Sequence, residues 1–196
     1  MGKTILAFVS EHPEYQVVPS LKEADVIIDF SSPEGTLSAL NAAQQNDLPL
    51  VIGTTGLTEE IEEKIKSVSA FTPVLYSPNF SFGIALVLKI LPEIVKNITG
   101  NCSYKIIESH HIHKKDSPSG TAIKLAESIN PNVTIESIRE GDVIGEHRIF
   151  FNLEGETLEL RHEALSRDAF AHGALIAAKF LVNKQAGLYT LMDLFH

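Results

Sequence analysis

Short apolar runs alternate with amphipathic stretches through the first eighty residues. Residues 24–30 (ADVIIDF), 50–52 and 73–76 are apolar and rich in β-formers, so they predict strands. The first reads as buried on both faces, as in a parallel sheet. Residues 32–46 and 58–68 carry apolar positions at helical spacing. Ser32 followed by Pro33 is a cap with proline in the first turn, and Leu37, Leu40 and Ala43 are expected to face inward. Thr58 caps the next helix, with Glu59 and Glu60 in its first turn and Ile61, Ile65 and Val68 inward. Residues 3–12 predict a short helix stopped by Pro13, and 16–18 a short strand. Strand–helix alternation of this kind predicts a doubly wound α/β domain with a parallel sheet. Ligands of such sheets sit outside the carboxyl ends of the strands. Three loops fall there: Ser31-Ser32, Gly53-Thr54-Thr55 and Ser77-Pro78-Asn79-Phe80.

The pattern changes in the second half. Residues 84–97 form a strongly apolar helix, and Pro92 inside it is expected to kink or divide it. Residues 104–109 alternate as a strand, and 122–129 repeat as a helix with Ser119 as its cap. Residues 134–138, 146–153 and 157–162 alternate and are joined by short turns, so they read as a mixed or antiparallel sheet. Residues 169–182 are an Ala- and Leu-rich helix, followed by a short tail (GLYTLMDLF). Two architectures predict two domains. Residues 1–78 with 173–196 form the first, and 79–172 form a second, α+β domain whose free sheet face would be a natural oligomer contact.

The chemistry concentrates at residues 108–122 (ESHHIHKKDSPSGTA). Of eight histidines in the chain, His110, His111 and His113 lie here, beside Lys114 and Lys115. A strand thus delivers imidazoles and ammonium groups to a loop. The loop ends at a helix start, with free N–H groups and a positive dipole end at Gly120 and Thr121. Such a place suits a small anion and proton transfer to it. Two other readings stay open. His111 and His113 share one strand face, as in some metal sites, but only Glu108 and Asp116 are at hand to complete a ligand set, so no metal is expected. A solvated polar loop is the other, and it leaves this grouping unexplained.

Composition narrows the classes. At 196 residues the chain can bury a core, and no apolar run approaches the length of a membrane span. A net charge of −9 argues against nucleic-acid binding. A single cysteine, Cys102, excludes an internal disulfide framework and fits a reducing cytoplasm; it reads as a small buried residue.

Residues 108–122 satisfy the whole of the pattern E-x-H-H-x-x-K-x-D-x-P-S-G-T-A. The chain therefore resembles the 4-hydroxy-tetrahydrodipicolinate reductase (dihydrodipicolinate reductase) family of lysine and diaminopimelate biosynthesis. Further matches occur in order at VIIDFSSPE (26–34), VIGTTG (51–56), SPNFSFG (77–83), REGDVIGEH (139–147) and LRHEALSRDAFAHGALIAAKFL (160–181). The resemblance implies a Rossmann-like dinucleotide domain and a substrate and oligomerisation domain. It implies His110 as the catalytic histidine and Lys114 as proton donor, with His111, Gly120 and Thr121 on the substrate. Gly53, Thr54, Thr55, Ser77, Pro78, Asn79 and Phe80 would contact NADH or NADPH. The implied reaction reduces 4-hydroxy-tetrahydrodipicolinate, a small dicarboxylate, with loss of water. The implied assembly is a cytoplasmic homotetramer. Arg161, His162 and Arg167 could line the site or form structural ion pairs; His147 and His172 are taken as structural.

One departure stands out. The family opens with a strand and a turn G-x-x-G-R-M-G that cradles pyrophosphate, and Met1-Gly2-Lys3 aligns with the end of that turn. The expectation is that Met1 is an internal methionine and that roughly ten further residues precede it, the usual length of a strand and turn. Without them, a neighbouring strand would have an unpaired edge. Three rivals remain: a non-catalytic dicarboxylate-binding scaffold, a metal-dependent hydrolase using His110, His111 and His113, and a related oxidoreductase with another cyclic or dicarboxylate substrate.

Overall fold

The computed structural model describes residues 1–129 and 132–195. Position 196, which closes the first predicted domain, lies outside them. The chain divides into two units, Met1–Phe82 with Arg167–His196, and Gly83–Ser166.

The first unit is a parallel sheet of four strands in the order β1 (Ile27–Asp29), β2 (Leu50–Ile52), β3 (Pro73–Tyr76) and β8 (Gly187–Tyr189). Helices α2 (Pro33–Asn46) and α3 (Glu59–Ser69) follow β1 and β2. Their caps are the predicted ones: Ser32 Oγ accepts from Gly35 N, and Thr58 Oγ1 from Ile61 N. Leu50, Ile52 and Val74 pack with Leu40, Ala43, Ile61, Ile65 and Val68 on one face. Val51 and Leu75 have the opposite parity and are fully buried. Helix α6 (Asp168–Leu181) packs on β2 and β3, and α1 (Gly2–Ser10) packs on α6. The sheet is thus wound on both sides, as its short apolar strands require.

Four details differ from expectation. Residues 16–18 form no strand. Leu37 is 37% exposed and Thr36 takes the inward place, because its hydroxyl donates to buried Asp29. The strand in 24–30 shrinks to three residues, and Ile27 and Ile28 are only half-buried. The outer edge of β1 has no strand partner among the described residues, and a cavity of about 1000 Å³ is lined by Leu6, Val9, Val17, Ile28, Phe30 and Val182. Finally, the tail contributes β8, which pairs with β3.

Gly173 in α6 sits against the backbone of the loop after β3. A Cβ there would lie 1.8 Å from the carbonyl oxygen of Phe80, a contact that no rotamer change relieves. Gly173→Ala should therefore destabilise the protein by about 3 kcal/mol, the upper range for an overpacked site. Urea unfolding of the variant measures it, and an unchanged midpoint would contradict this packing.

The second unit is a mixed sheet in the order β5 (Thr134–Arg139), β4 (Ser103–His110), β6 (Glu146–Leu153) and β7 (Glu156–Glu163). β5 runs parallel to β4; the other pairs are antiparallel. Helices α4 (Phe82–Asn97) and α5 (Gly120–Glu127) supply Val87, Leu91, Ala122 and Leu125 to a core with Ile106, Ile149 and Phe151. Pro92 does not divide α4, which is continuous; buried Leu91 and Val87 hold its inner face in the core across the missing hydrogen bond. The opposite sheet face carries ion pairs: Arg148 with Glu159 at 2.7 Å, Arg161 with Glu146 at 2.5 Å, and Lys105 with Glu136 at 2.7 Å. Cys102 is partly exposed, not buried, because it lies before the first residue of β4. Among the described residues no helix is long and apolar enough to cross a membrane.

Candidate active site

Strand β4 alternates, so Ile106, Glu108 and His110 share the face that α5 covers. The chain leaves the strand at His110 through a loop and re-enters regular structure at α5. Ser119 caps that helix, its Oγ accepting from Ala122 N at 3.2 Å. Gly120 is exposed and Thr121 half-buried at the helix start. The peptide bond between Ser117 and Pro118 is cis.

Glu108 is fully buried and central. Its Oε2 lies 2.5 Å from His110 Nδ1, in ion-pair contact with the ring. Its Oε1 accepts from Arg139 Nη2 at 2.8 Å and from Ser119 N at 3.4 Å. The same Arg139 nitrogen donates to the carbonyl of Asp116 at 2.6 Å. Asp116 in turn pairs with Lys114 Nζ at 2.9 Å. A continuous chain of contacts therefore runs from Lys114 to His110. His147 stands beside it, its ring 5.3 Å from that of His110, with Nε2 3.4 Å from Ser119 Oγ. His162 follows across the sheet, 6.4 Å from His147.

Burial and charge tune these groups. Burial would raise the Glu108 pKa, but hydrogen bonds from Arg139 and Ser137 and the neighbouring His110 outweigh it and hold the carboxyl below its usual range. Burial lowers His110, reinforced by Lys114 and Arg139 and opposed by Glu108. Burial, with the charges of His110 and His162, pushes His147 down to about 3. Burial likewise lowers His162. For Asp116, burial is outweighed by the hydrogen bond from Lys114 and by backbone N–H groups including that of Gly120, so its carboxyl is lowered.

The sequence-derived residues divide between the units. His110, Lys114, Gly120 and Thr121 all belong to the contacts just described or to the helix start they support. His111 and His113 stand apart from that network, with their rings 6.2 Å from each other. The metal trio of the rival reading, His110, His111 and His113, is not the cluster that the fold gathers. The donors that the fold gathers are Glu108, His110 and His147, within 4.8 Å of one another. Both oxygens of that carboxylate already face Arg139 and the His110 ring.

In the first unit, the loops after β1, β2 and β3 are joined to one another. Asp29 is buried and accepts from Ser31 Oγ, Thr36 Oγ1 and Thr54 Oγ1. Thr54 Oγ1 also accepts from Ser31 N at 3.0 Å, so its hydroxyl is used within the protein. Ser77 N donates to Ile52 O, and Ser77 Oγ donates to Asn79 O. Phe80 is buried and its ring meets Phe30 edge-on at 5.0 Å, while Thr55 and Pro78 are exposed. Gly53 lies against Phe30, where a Cβ would be 2.2 Å from the ring. In these loops Thr55 is exposed, whereas the Gly53 N–H donates to Asp29 O, the Asn79 N–H and carbonyl both bond Ser77 Oγ, and the Thr54 and Phe80 side chains are buried.

Glu108, Asp116, Arg139 and His147 of the His110 network escaped the sequence reading as site residues, Glu108 and Asp116 being weighed there only as metal ligands. Glu108 is two positions from His110 on a strand, which places both on one face; that signal was available. Arg139 and His147 depend on sheet register, which pairs Arg139 with His110 and His147 with Glu108.

Comparison with known proteins identifies the family. Residues 14–80 match the family model "Dihydrodipicolinate reductase, N-terminus", and residues 83–195 match "Dihydrodipicolinate reductase, C-terminus". The 4-hydroxy-tetrahydrodipicolinate reductase of Thermosipho africanus is 39% identical over 99% of this chain and 92% of its own. That of Campylobacter jejuni subsp. jejuni is 40% identical over 88% of this chain and 81% of its own. Among solved structures, a dipicolinate-bound dihydrodipicolinate reductase from Paenisporosarcina sp. TG-14 superposes with a TM-score of 0.72 at 26% identity, covering 95% of this chain and 84% of that one. The chain belongs to the dihydrodipicolinate reductase family and is a pyridine-nucleotide-dependent oxidoreductase.

Proposed function

We propose that the protein reduces 4-hydroxy-tetrahydrodipicolinate to tetrahydrodipicolinate, with loss of water, using NADH or NADPH. The observation that carries this reading is the run of contacts from Lys114 through Asp116, Arg139 and Glu108 to His110, beside a capped helix start. It supplies a proton donor, a titratable imidazole and an anion-ready backbone in one place. The dinucleotide is assigned to the loops after β2 and β3 of the first unit, and the substrate to the second unit.

The nicotinamide, when bound, supplies the hydride. The chain's own residues do the rest. Gly120 and Thr121 present the start of α5 to a substrate carboxylate. Asp116 now holds Lys114 and the Gly120 N–H, so an incoming carboxylate takes over those partners and leaves the Lys114 ammonium against the substrate. Lys114 then gives a proton to the ring as the hydride adds, and His110, kept neutral by burial, supports the charge. The dipicolinate bound by the Paenisporosarcina reductase is a planar ring with two carboxylates, and it fits the same assignment. His111 is placed at the second carboxylate. The helix-free face of the second sheet is assigned to a homotetramer, and the cytoplasm is the compartment we assign.

A titration with NADH and with NADPH, read by fluorescence or calorimetry with and without pyridine-2,6-dicarboxylate, tests the reading. Binding of at least one dinucleotide, followed by turnover insensitive to chelator, is expected. Dicarboxylate binding with no dinucleotide binding would point instead to a scaffold. Turnover abolished by chelator would favour the metal reading.

A further inference from the structure

The carboxylate of Glu108 touches no solvent and reaches no surface on which a ligand could sit. It nevertheless joins three separate pieces of the second unit: the His110 ring on β4, the Arg139 guanidinium on β5, and the backbone N–H of Ser119 at the cap of α5. A buried carboxylate is costly unless it is paired, and here one oxygen accepts hydrogen bonds from Arg139 and Ser119 N while the other faces the His110 ring.

We propose that Glu108 is the positioning residue of the site, fixing the tautomer of His110 and the seat of the carboxylate-binding helix together. This rests on the functional reading above. With Nδ1 against an ionised carboxylate, the neutral imidazole carries its proton on Nδ1 and presents Nε2 as the free acceptor. Gly145 guards that nitrogen: a Cβ there would lie 3.1 Å from Nε2, so glycine leaves it room. The same carboxylate holds Ser119 N, and Ser119 Oγ holds Ala122 N, so the first turn of α5 is tied to the His110 ring through one group. Arg139 keeps the carboxylate ionised and at the same time holds the Asp116 carbonyl, two residues from Lys114. The charged or titratable groups facing His110 are Glu108 on its own strand, Lys114 in the loop, Arg139 on β5 and His147 on β6.

The test is Glu108→Gln in the full chain, with dinucleotide. A Gln amide can donate to Nδ1 and so favours the Nε2–H tautomer. We expect kcat to fall about 100-fold, the scale of a misplaced general acid or base. The pH limb that belongs to His110 should move to lower pH, because the one neighbour that raises its pKa is gone. Dicarboxylate binding should weaken, while dinucleotide binding stays within about twofold. Unchanged kcat and pH limb would overturn the proposal. Should the variant fail to fold, ¹⁵N spectra of the wild-type histidine rings decide, with His110 assigned by His110→Gln. A neutral Nδ1–H form supports the proposal and an Nε2–H form overturns it. This readout needs no turnover, so an inactive wild-type protein would defeat the functional reading without touching the tautomer.

Discussion

Replacing Lys114 with alanine is expected to lower kcat by about 10²- to 10⁴-fold, the contribution of a positioned proton donor. The fold should survive. Lys114 lies in a loop outside any strand or helix, its main chain held by a turn in which Lys114 N donates to His111 O. Its partner Asp116 has a side chain 55% exposed, and an ion pair of that kind contributes roughly 0–1 kcal/mol. Loss of activity without loss of stability would therefore reflect chemistry. Lys114→Arg separates the two roles proposed for the ammonium. Arginine keeps the charge that draws a carboxylate but does not release a proton near neutral pH. The arginine variant should hold KM near the wild-type value and remain low in kcat, whereas the alanine variant loses both. Steady-state kinetics with saturating dinucleotide makes the comparison. An active Lys114→Ala would remove this residue from the reaction.

The second large effect is acid sensitivity. His147 is 4% exposed and its Nδ1 has no hydrogen-bond partner among the described residues, so its charged form is strongly disfavoured. Burial first, then His110, His162 and Lys114, depress its pKa to about 3, while Glu108 opposes them. In the unfolded chain the same ring titrates near its ordinary value of 6.5. The unfolded state thus binds the proton first. The stability contributed by a neutral His147 is fully present above pH 6.5 and is lost as pH falls through the interval down to about 3. Between pH 7 and pH 5 the expected loss is about 2 kcal/mol, or roughly 4–8 °C in Tm for a chain of this size. His110 and His162 are also lowered and add to the loss with the same sign. Between pH 7 and pH 5 the carboxylates of Glu108, Asp116 and Glu159, all held low, stay largely ionised in both states and contribute little; below about 4.5, the ordinary glutamate value, they add to the loss with the same sign. Thermal unfolding at pH 7 and pH 5 measures the slope. His147→Gln removes one titrating group and should flatten it; an equally steep variant would show that His147 is not its source.

What the sequence determined by itself was local. Helix α2 begins at Pro33 and α3 at Glu59, because a hydroxyl cap and its first turn lie within four residues of each other and require no distant partner. β2 and β3 are apolar runs with turn residues at their ends, and both were legible to the residue. The family, too, was legible, because residues 108–122 carry a complete motif in one stretch. Where a residue's fate depended on distant partners, only the tertiary structure decided. β8 is three residues with no periodicity of its own, and it is a strand because β3 offers it an edge. Residues 16–18 have strand-forming side chains but gain no such edge. Leu37 faces outward because Asp29, in another element, takes the hydroxyl of Thr36. Pro92 stays within one helix because its neighbours are packed into the sheet core. Glu108, Arg139 and His147 come from three strands more than thirty residues apart from end to end, and they meet only once β4 is parallel to β5 and antiparallel to β6. Caps and periodicity act over one or two turns of chain. Register between strands is set by which faces must be buried together, and no single stretch contains that information.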